Sequence, residues 1–195
     1  AFSRIQLLSP QPSNGGALVA DMLELLQRSL GEEITVNITC QDKEEQAMAD
    51  PGQVETALLN MALKSRDALP SGGTLTISSQ VVVVGADNKM ELDVGHYVVL
   101  TIADTGSGMT PEVVARSVEP FFTTKEIGKG SGLGLSMVYG FAKQSGGNLS
   151  IQSSPGQGTK VSLYLPMTMT SPGAEQVVTG EPIVLHGCGK TILVL

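Results

Sequence analysis

The chain is short of cysteine, of positive charge and of long apolar runs. Only two cysteines occur in 195 residues, Cys40 and Cys188. They lie far apart and in no metal-ligand spacing, which argues against a disulfide framework or a zinc site and suits free thiols in a reducing compartment. Twelve lysines and arginines stand against nineteen aspartates and glutamates, a formal net charge of −7. That balance excludes broad electrostatic binding to nucleic acid or to an anionic membrane. No apolar stretch approaches membrane-spanning length, and the start lacks the charged, apolar and small-residue order of a signal peptide. Internal repeats are absent as well. The chain opens on Ala1 and closes inside the apolar run "TILVL", so it reads as a piece of something longer.

What is present suits a packed globule. Apolar residues make up 41%, and 23 glycines with 10 prolines supply turns without low complexity. "AFSRIQLLSPQP" reads as a helix end stopped by Pro10 and Pro12. Leu18, Met22, Leu25, Leu26 and Leu30 recur at helical spacing and predict one helix over 17–30. Ile34, Val36, Ile38 and Cys40 alternate with polar residues, as a half-buried strand does. Asp50-Pro51 marks a helix start, running to about Leu69 with Val54, Leu58, Met61 and Leu69 inward. "TLTISSQVVVVG" and "YVVLTIAD" are strands, and Thr110-Pro111-Glu112 opens a short helix. A further helix covers about 133–145, closed by Gly146-Gly147, before a hairpin around Pro155-Gly156. Long strands with few helices predict an α/β two-layer sandwich, a mixed sheet under one layer of helices. Past Pro166 the pattern dissolves into a turn-rich stretch, then "KTILVL".

"GKGSGLGLSMVYG", residues 128–140, sets Gly128, Gly130, Gly132 and Gly134 ahead of a helix. It fails both familiar phosphate-loop patterns, since the glycine spacing is not that of a dinucleotide fold and Lys129 precedes glycine rather than Ser or Thr. Taken alone it fits a hinge as well as a ligand loop. Three other stretches bear on it. "ADTGSGM" places Asp104 at a strand end. A carboxylate beside phosphates would repel them, so Asp104 suits an exocyclic amine such as adenine carries, with Gly106 and Gly108 turning tightly beneath the base. An ordinary Asp-Thr-Gly turn is the competing reading. Asn60, Lys64 and Asp67 share one stripe of the Pro51 helix, able to reach phosphates and a metal or merely to face solvent. "FFTTKEIGKGSG" gathers hydroxyls, Lys125, Lys129 and glycine amides before a helix N-terminus, a setting for anionic oxygens, with Phe121 and Phe122 fastening the loop to the body.

In the order "N…DTGSGM…FFTTK…GKGSGLGL", this set closely resembles the catalytic ATP-binding domain of sensor histidine kinases. These belong to the Bergerat ATPase group with gyrase, Hsp90-type chaperones and mismatch-repair ATPases. "LLNMALKSRDAL" resembles the N box, "DTGSGM" and "GKGSGLGLSMV" the two glycine boxes, and "PFFTTK" the F box. The resemblance covers roughly 17–166. "AFSR" is similar to the end of dimerisation helices, giving a region 1–16, and "KTILVL" to a receiver's first strand, giving a linker 167–189 and a receiver-like start at 190–195, as in a hybrid kinase. It implies ATP between the Asn60 helix and a mobile lid over about 108–132. Asp104 would read adenine with Thr159 helping through water, beside Gly106, Gly108 and Met109. Asn60, Lys64, Asp67, Thr123, Thr124 and Lys125 would meet the rest of the nucleotide. Gly130, Ser131, Gly132, Leu133, Gly134 and Leu135 would cradle its phosphates.

The family pattern carries a second asparagine four residues after the first, the usual Mg2+ ligand, and Lys64 stands there. An ammonium only donates, whereas Mg2+ needs oxygen ligands. Asn60 is thus the one metal candidate, and three outcomes stand open. Lys64 salt-bridges the phosphates in place of the metal, Asn60 and water hold a displaced metal, or nucleotide binding is impaired. The expectation is bound nucleotide with weakened phosphoryl transfer. Alternatively, Lys64 lies in solvent and is neutralised by Asp67. His96 and His186 lack the helical, acid-flanked setting of a phosphoacceptor, which the resemblance puts upstream, in the protein's own dimerisation domain. The further partner implied is a receiver domain or response regulator, in the cytoplasm, whether or not the parent protein is membrane-anchored. A degenerate module that uses nucleotide only as a signal is the rival. A chaperone-type or topoisomerase ATPase would carry glutamate where Asn60 stands.

Overall fold

The computed structural model describes residues 9–40, 46–126 and 130–168. Alternating side chains build its sheet from β2 (Ile34–Cys40), β4 (Gly73–Val84), β5 (Gly95–Asp104), β6 (Asn148–Ser153) and β7 (Thr159–Pro166). The order is β2-β4-β5-β7-β6, with β2 parallel to β4 and the other neighbours antiparallel. This is the mixed sheet that was expected. A smaller antiparallel pair joins β1 (Gln11–Asn14) to β3 (Gln46–Ala49). The helix end expected ahead of the prolines falls mostly on residues 1–8, outside the described residues. Just past Pro10 the chain is extended, at Gln11–Asn14. Pro10 and Pro12 disfavour a helix there, and β3 supplies ladder partners.

The helices lie on one face. Longest is α3 (Pro51–Asp67), whose start is set by Asp50: its carboxylate accepts the Gln53 N–H at 3.2 Å while Pro51 occupies the first turn. Its buried side carries Val54, Ala57, Leu58, Met61 and Ala62. These meet Leu75, Ile77, Leu100, Ile102 and Leu163 from the sheet, and each fully buried side chain of this size contributes roughly 1.5–3 kcal/mol. Beside it runs α5 (Gly134–Gln144), burying Leu135, Val138, Phe141 and Ala142. The expected single helix over 17–30 is two, α1 (Gly15–Asp21) and α2 (Leu23–Leu30). The bend at Met22 keeps Val19, Met22 and Leu26 in the core together. A short α4 (Pro111–Arg116) follows the β5 loop.

The other face of the sheet carries a smaller cluster, Val84, Leu92, Tyr97 and Val99. There Thr101 and Ser162 pair their hydroxyls at 3.0 Å. The expected linker and receiver-like strand lie outside the described residues, save Met167 and Thr168. Their N–H groups donate to the carbonyls of His96 and Gln46. Residues 1–8 lie outside as well. Cys40 is exposed, and so is His96, at the entry to β5.

Candidate functional site

Along β5, Val98, Leu100 and Ile102 face the helices, and the period of two puts Asp104 on that same side at the strand's end. Only 8% of it is exposed. Its Oδ1 accepts N–H groups from Gly106 at 2.9 Å and from Thr159 at 3.1 Å. No protein donor reaches Oδ2 among the described residues. A buried carboxylate with one oxygen engaged and one free is built to receive a donor from outside.

The backbone around it is fastened on three sides. A Cβ on Gly106 would stand 2.5 Å from the carbonyl oxygen of Ala68, just past α3, and the next N–H, from Ser107, donates to that oxygen at 3.1 Å. Gly158, at φ +76°, leaves no room for a Cβ against the Asp104 carbonyl. Ser153, which the sequence reading did not single out, joins the pieces. Its hydroxyl accepts the Met109 N–H at 2.8 Å, donates to Gly158 O at 2.9 Å and lies 2.9 Å from Thr159 Oγ1. Nothing in the sequence marks it, because the contact forms only when the β6–β7 hairpin meets the β5 loop.

Above Asp104 lies a cavity of about 240 Å3 between α3, α5, the β5 loop and the segment after α4. Of the expected residues, Lys64, Asp67, Asp104, Gly108, Met109, Thr123, Thr124, Lys125, Gly132, Leu135 and Thr159 line it. Met61, Val113, Phe122 and Val161 add apolar wall that had been assigned to core or left aside. Asn60, Gly106, Gly130, Ser131, Leu133 and Gly134 do not line it. Gly106 works behind the wall. Ser131, exposed, accepts the Leu133 N–H at 3.3 Å, and Leu133 begins α5 without a side-chain cap.

Lysines and glycines fill the far end. Lys64 Cε would lie 3.3 Å, and Asn60 Oδ1 3.6 Å, from a Cβ placed on Gly134. Both side chains therefore sit over the first residue of α5. Lys125 forms an ion pair with Asp67, which also lies 3.7 Å from Arg66. The alternative in which Lys64 lies in solvent and is neutralised by Asp67 does not match the structure: the carboxylate is taken by Lys125 and Arg66, and Lys64 lines the cavity half-buried. Gly132, at φ +67°, is required by Phe121, whose backbone would collide with a Cβ there and whose N–H donates to Gly132 O at 3.1 Å. Phe121 itself is 74% exposed, at φ +67°. It does not fasten the loop to the body. Phe122 takes that part, with the Arg116 guanidinium 4.2 Å above its ring. Gly130 sits against the Thr123 hydroxyl and the Lys125 stem, while Gly128 and Lys129 lie outside the described residues.

The donor set at this end does not fit a divalent hard cation. Among the described residues no three of His, Cys, Asp and Glu converge. Mg2+ takes one or two carboxylates in near-octahedral oxygen geometry. Here the nearby carboxylate is engaged by Lys125, and Asn60 shares its position with an ammonium.

Outside the cavity, Asp50 titrates below the usual carboxylate range. The Ser9 N–H hydrogen bond is the main cause, burial opposes it, and the Gln53 and Gly52 N–H groups add to the lowering. The Thr110 hydroxyl likewise lowers Glu112 at the start of α4.

A family model described as "Histidine kinase-, DNA gyrase B-, and HSP90-like ATPase" matches residues 49–169. The sensor kinase CckA of Brucella abortus (strain 2308) is 41% identical over 169 residues, which are 85% of this chain and 18% of that protein. The sensor histidine kinase ZraS of Salmonella typhi is 29% identical over 161 residues, 82% of this chain and 32% of the relative. The chain thus spans between about a fifth and a third of these relatives' lengths. Among solved structures, full-length ShkA in complex with AMPPNP superposes with a TM-score of 0.67 at 25% identity, covering 83% of this chain and 32% of that one. The mycobacterial sensor histidine kinase MprB shares the fold at a TM-score of 0.65 and 24% identity, over 82% of this chain and 98% of its own.

Proposed function

Because the chain belongs to the histidine kinase-, DNA gyrase B- and HSP90-like ATPase family, we propose that it is the ATP-binding catalytic domain of a two-component sensor histidine kinase. Its task is to present the γ-phosphoryl group of ATP to a histidine outside the described residues. The observation that carries this reading is Asp104, buried, with Oδ1 held by two amides and Oδ2 free of protein donors. A carboxylate oxygen there accepts the exocyclic amine of adenine and repels the carbonyl that guanine carries at the same place. Met61, Met109, Leu135 and Val161 supply apolar surface for the purine faces. Thr159, whose hydroxyl sits beside Ser153, assists the base through water.

With the base at Asp104, the phosphates run toward α5, Thr123, Thr124 and Lys125. The amides opening α5 and the positive end of its dipole favour anionic oxygens. Asn60 and Lys64 face this end from α3. In the transfer step the imidazole nitrogen of the accepting histidine forms a bond to the γ-phosphorus. The bond from that phosphorus to the β–γ bridging oxygen breaks, ADP leaves with the electron pair, and the imidazole proton passes to a general base that stands with the accepting histidine outside the described residues. The domain positions the two partners and balances charge.

The partners that follow are the protein's own dimerisation and phosphoacceptor domain, then a receiver domain, placed after it in a hybrid arrangement or on a separate response regulator. Among the described residues no helix is long and apolar enough to cross a membrane, and use of ATP places the domain in the cytoplasm. Lys64 favours a second reading, a module that binds nucleotide and signals by lid closure without transfer. Full-length parent protein incubated with γ-labelled ATP separates the two. Label on histidine, lost in an Asp104→Ala variant, supports the kinase; nucleotide binding without labelled histidine supports the module.

A further inference from the structure

Of the two lysines lining the cavity, Lys64 is the one with no carboxylate partner among the described residues. Asp104 is engaged by amides, and Asp67 pairs with Lys125 and Arg66. Among the described residues Lys64 has no ion pair, although it is half-buried and lines the cavity. A partly desolvated ammonium calls for an anion. Its stem lies against the first residue of α5, beside Asn60. That helix has eleven residues, no side-chain cap and no acidic residue in its first turn. An unpaired ammonium and a set of uncapped amides therefore converge from two elements on one point, and both attract the same chemistry.

We propose that Lys64 is the counter-ion of the nucleotide's polyphosphate, so that the domain holds ATP without a divalent cation. This rests on the reading of the cavity as a nucleotide site. A lysine is a compact point charge with rotatable donors and can follow a phosphate without a fixed coordination geometry. The same charge disfavours a cation at the place it occupies. The mismatch between the donor set and a hard metal then reflects a different way of balancing phosphate charge, carried by the protein's own side chain.

The test is isothermal titration of the chain with ATP in EDTA and in excess Mg2+, for the wild type, Lys64→Met and Lys64→Asn, with adenosine as a probe that lacks phosphate. The proposal expects wild-type affinity to change less than about tenfold between the two conditions, a tenfold step being what one charge-assisted contact is worth. It expects Lys64→Met to lose about tenfold or more in EDTA, and Lys64→Asn to bind at least about tenfold better with Mg2+ than without. Adenosine affinity should be the same in all three proteins, which shows that the variants fold. Mg2+ enhancement of the wild type by tenfold or more overturns the proposal, as does an unchanged EDTA affinity in Lys64→Met. If the wild type binds neither adenosine nor ATP, the nucleotide reading falls and takes the proposal with it.

Discussion

The two ends of the cavity are held together by different means. At the base end the contacts are backbone to backbone or to short polar side chains: Asp104 to Gly106 and Thr159, Ser107 to Ala68, Ser153 to Met109 and Gly158. At the phosphate end they are long charged side chains, Lys125 to Asp67 and Lys64 to none among the described residues. Amides on strands and caps leave a ligand atom little choice of position. Ammonium groups on four-carbon stems follow a moving anion. On the proposed reading, the fixed end selects the base and the adaptable end grips the phosphates.

The contrast breaks most visibly at glycine. A Cβ on Gly158 would run into the Asp104 carbonyl at a positive φ. Gly158→Ala should therefore destabilise the domain by about 2–4 kcal/mol, combining backbone strain with overpacking. Gly130 faces the Thr123 hydroxyl and the Lys125 stem, which can move, so Gly130→Ala should shift stability by less than about 0.5 kcal/mol. Thermal melts of the two variants measure this directly, and equal losses would erase the distinction between the two ends.

A smaller effect lies at the start of α3, the element both ends share. Because amide hydrogen bonds hold the Asp50 carboxyl below its unfolded value, its contribution is complete above the ordinary aspartate range and disappears as pH falls through the folded value. Asp50→Ala should lower stability by about 1 kcal/mol at pH 7. The gap from wild type, followed by denaturant melts against pH, should close below about pH 4. A gap that persists at low pH contradicts the role given to the carboxylate.

The smallest effect is expected at the Lys125–Asp67 pair. Asp67→Asn frees Lys125 for phosphate, and a partly exposed pair is worth about 0.2–1 kcal/mol. ATP affinity should thus rise by roughly 1.4- to fivefold. A fall on titration would mean that Asp67 holds the lysine in place for the nucleotide and does not compete with it.

Much of this was legible before any coordinates. Strict alternation exposed β2 and the β6–β7 hairpin, and Asp50-Pro51 marked the start of α3, because in each case the deciding interaction is local. Eleven of the residues expected at the nucleotide line the cavity. Contacts between distant segments were not legible. The pairing of β1 with β3 needs a partner with no strand signature of its own. Ser153 is one serine among several until the hairpin closes on the β5 loop. Asp67 and Lys64, three positions apart on one helix stripe, could be told apart only once Lys125 came into reach. Phe121 turns outward for a similar reason, since its backbone rather than its ring is what Gly132 accommodates.

The base end offers the most direct check on the whole account. Inosine triphosphate carries a carbonyl where ATP carries the exocyclic amine, and its donor moves to ring N1, so Asp104 Oδ2 meets an acceptor at the place where adenine offers its amine. Side-by-side titrations of the wild-type chain should give ATP the tighter binding by about ten- to a hundredfold, the worth of one hydrogen bond to a charged acceptor. Equal affinity for the two nucleotides would contradict the assignment of Asp104 as the reader of the base.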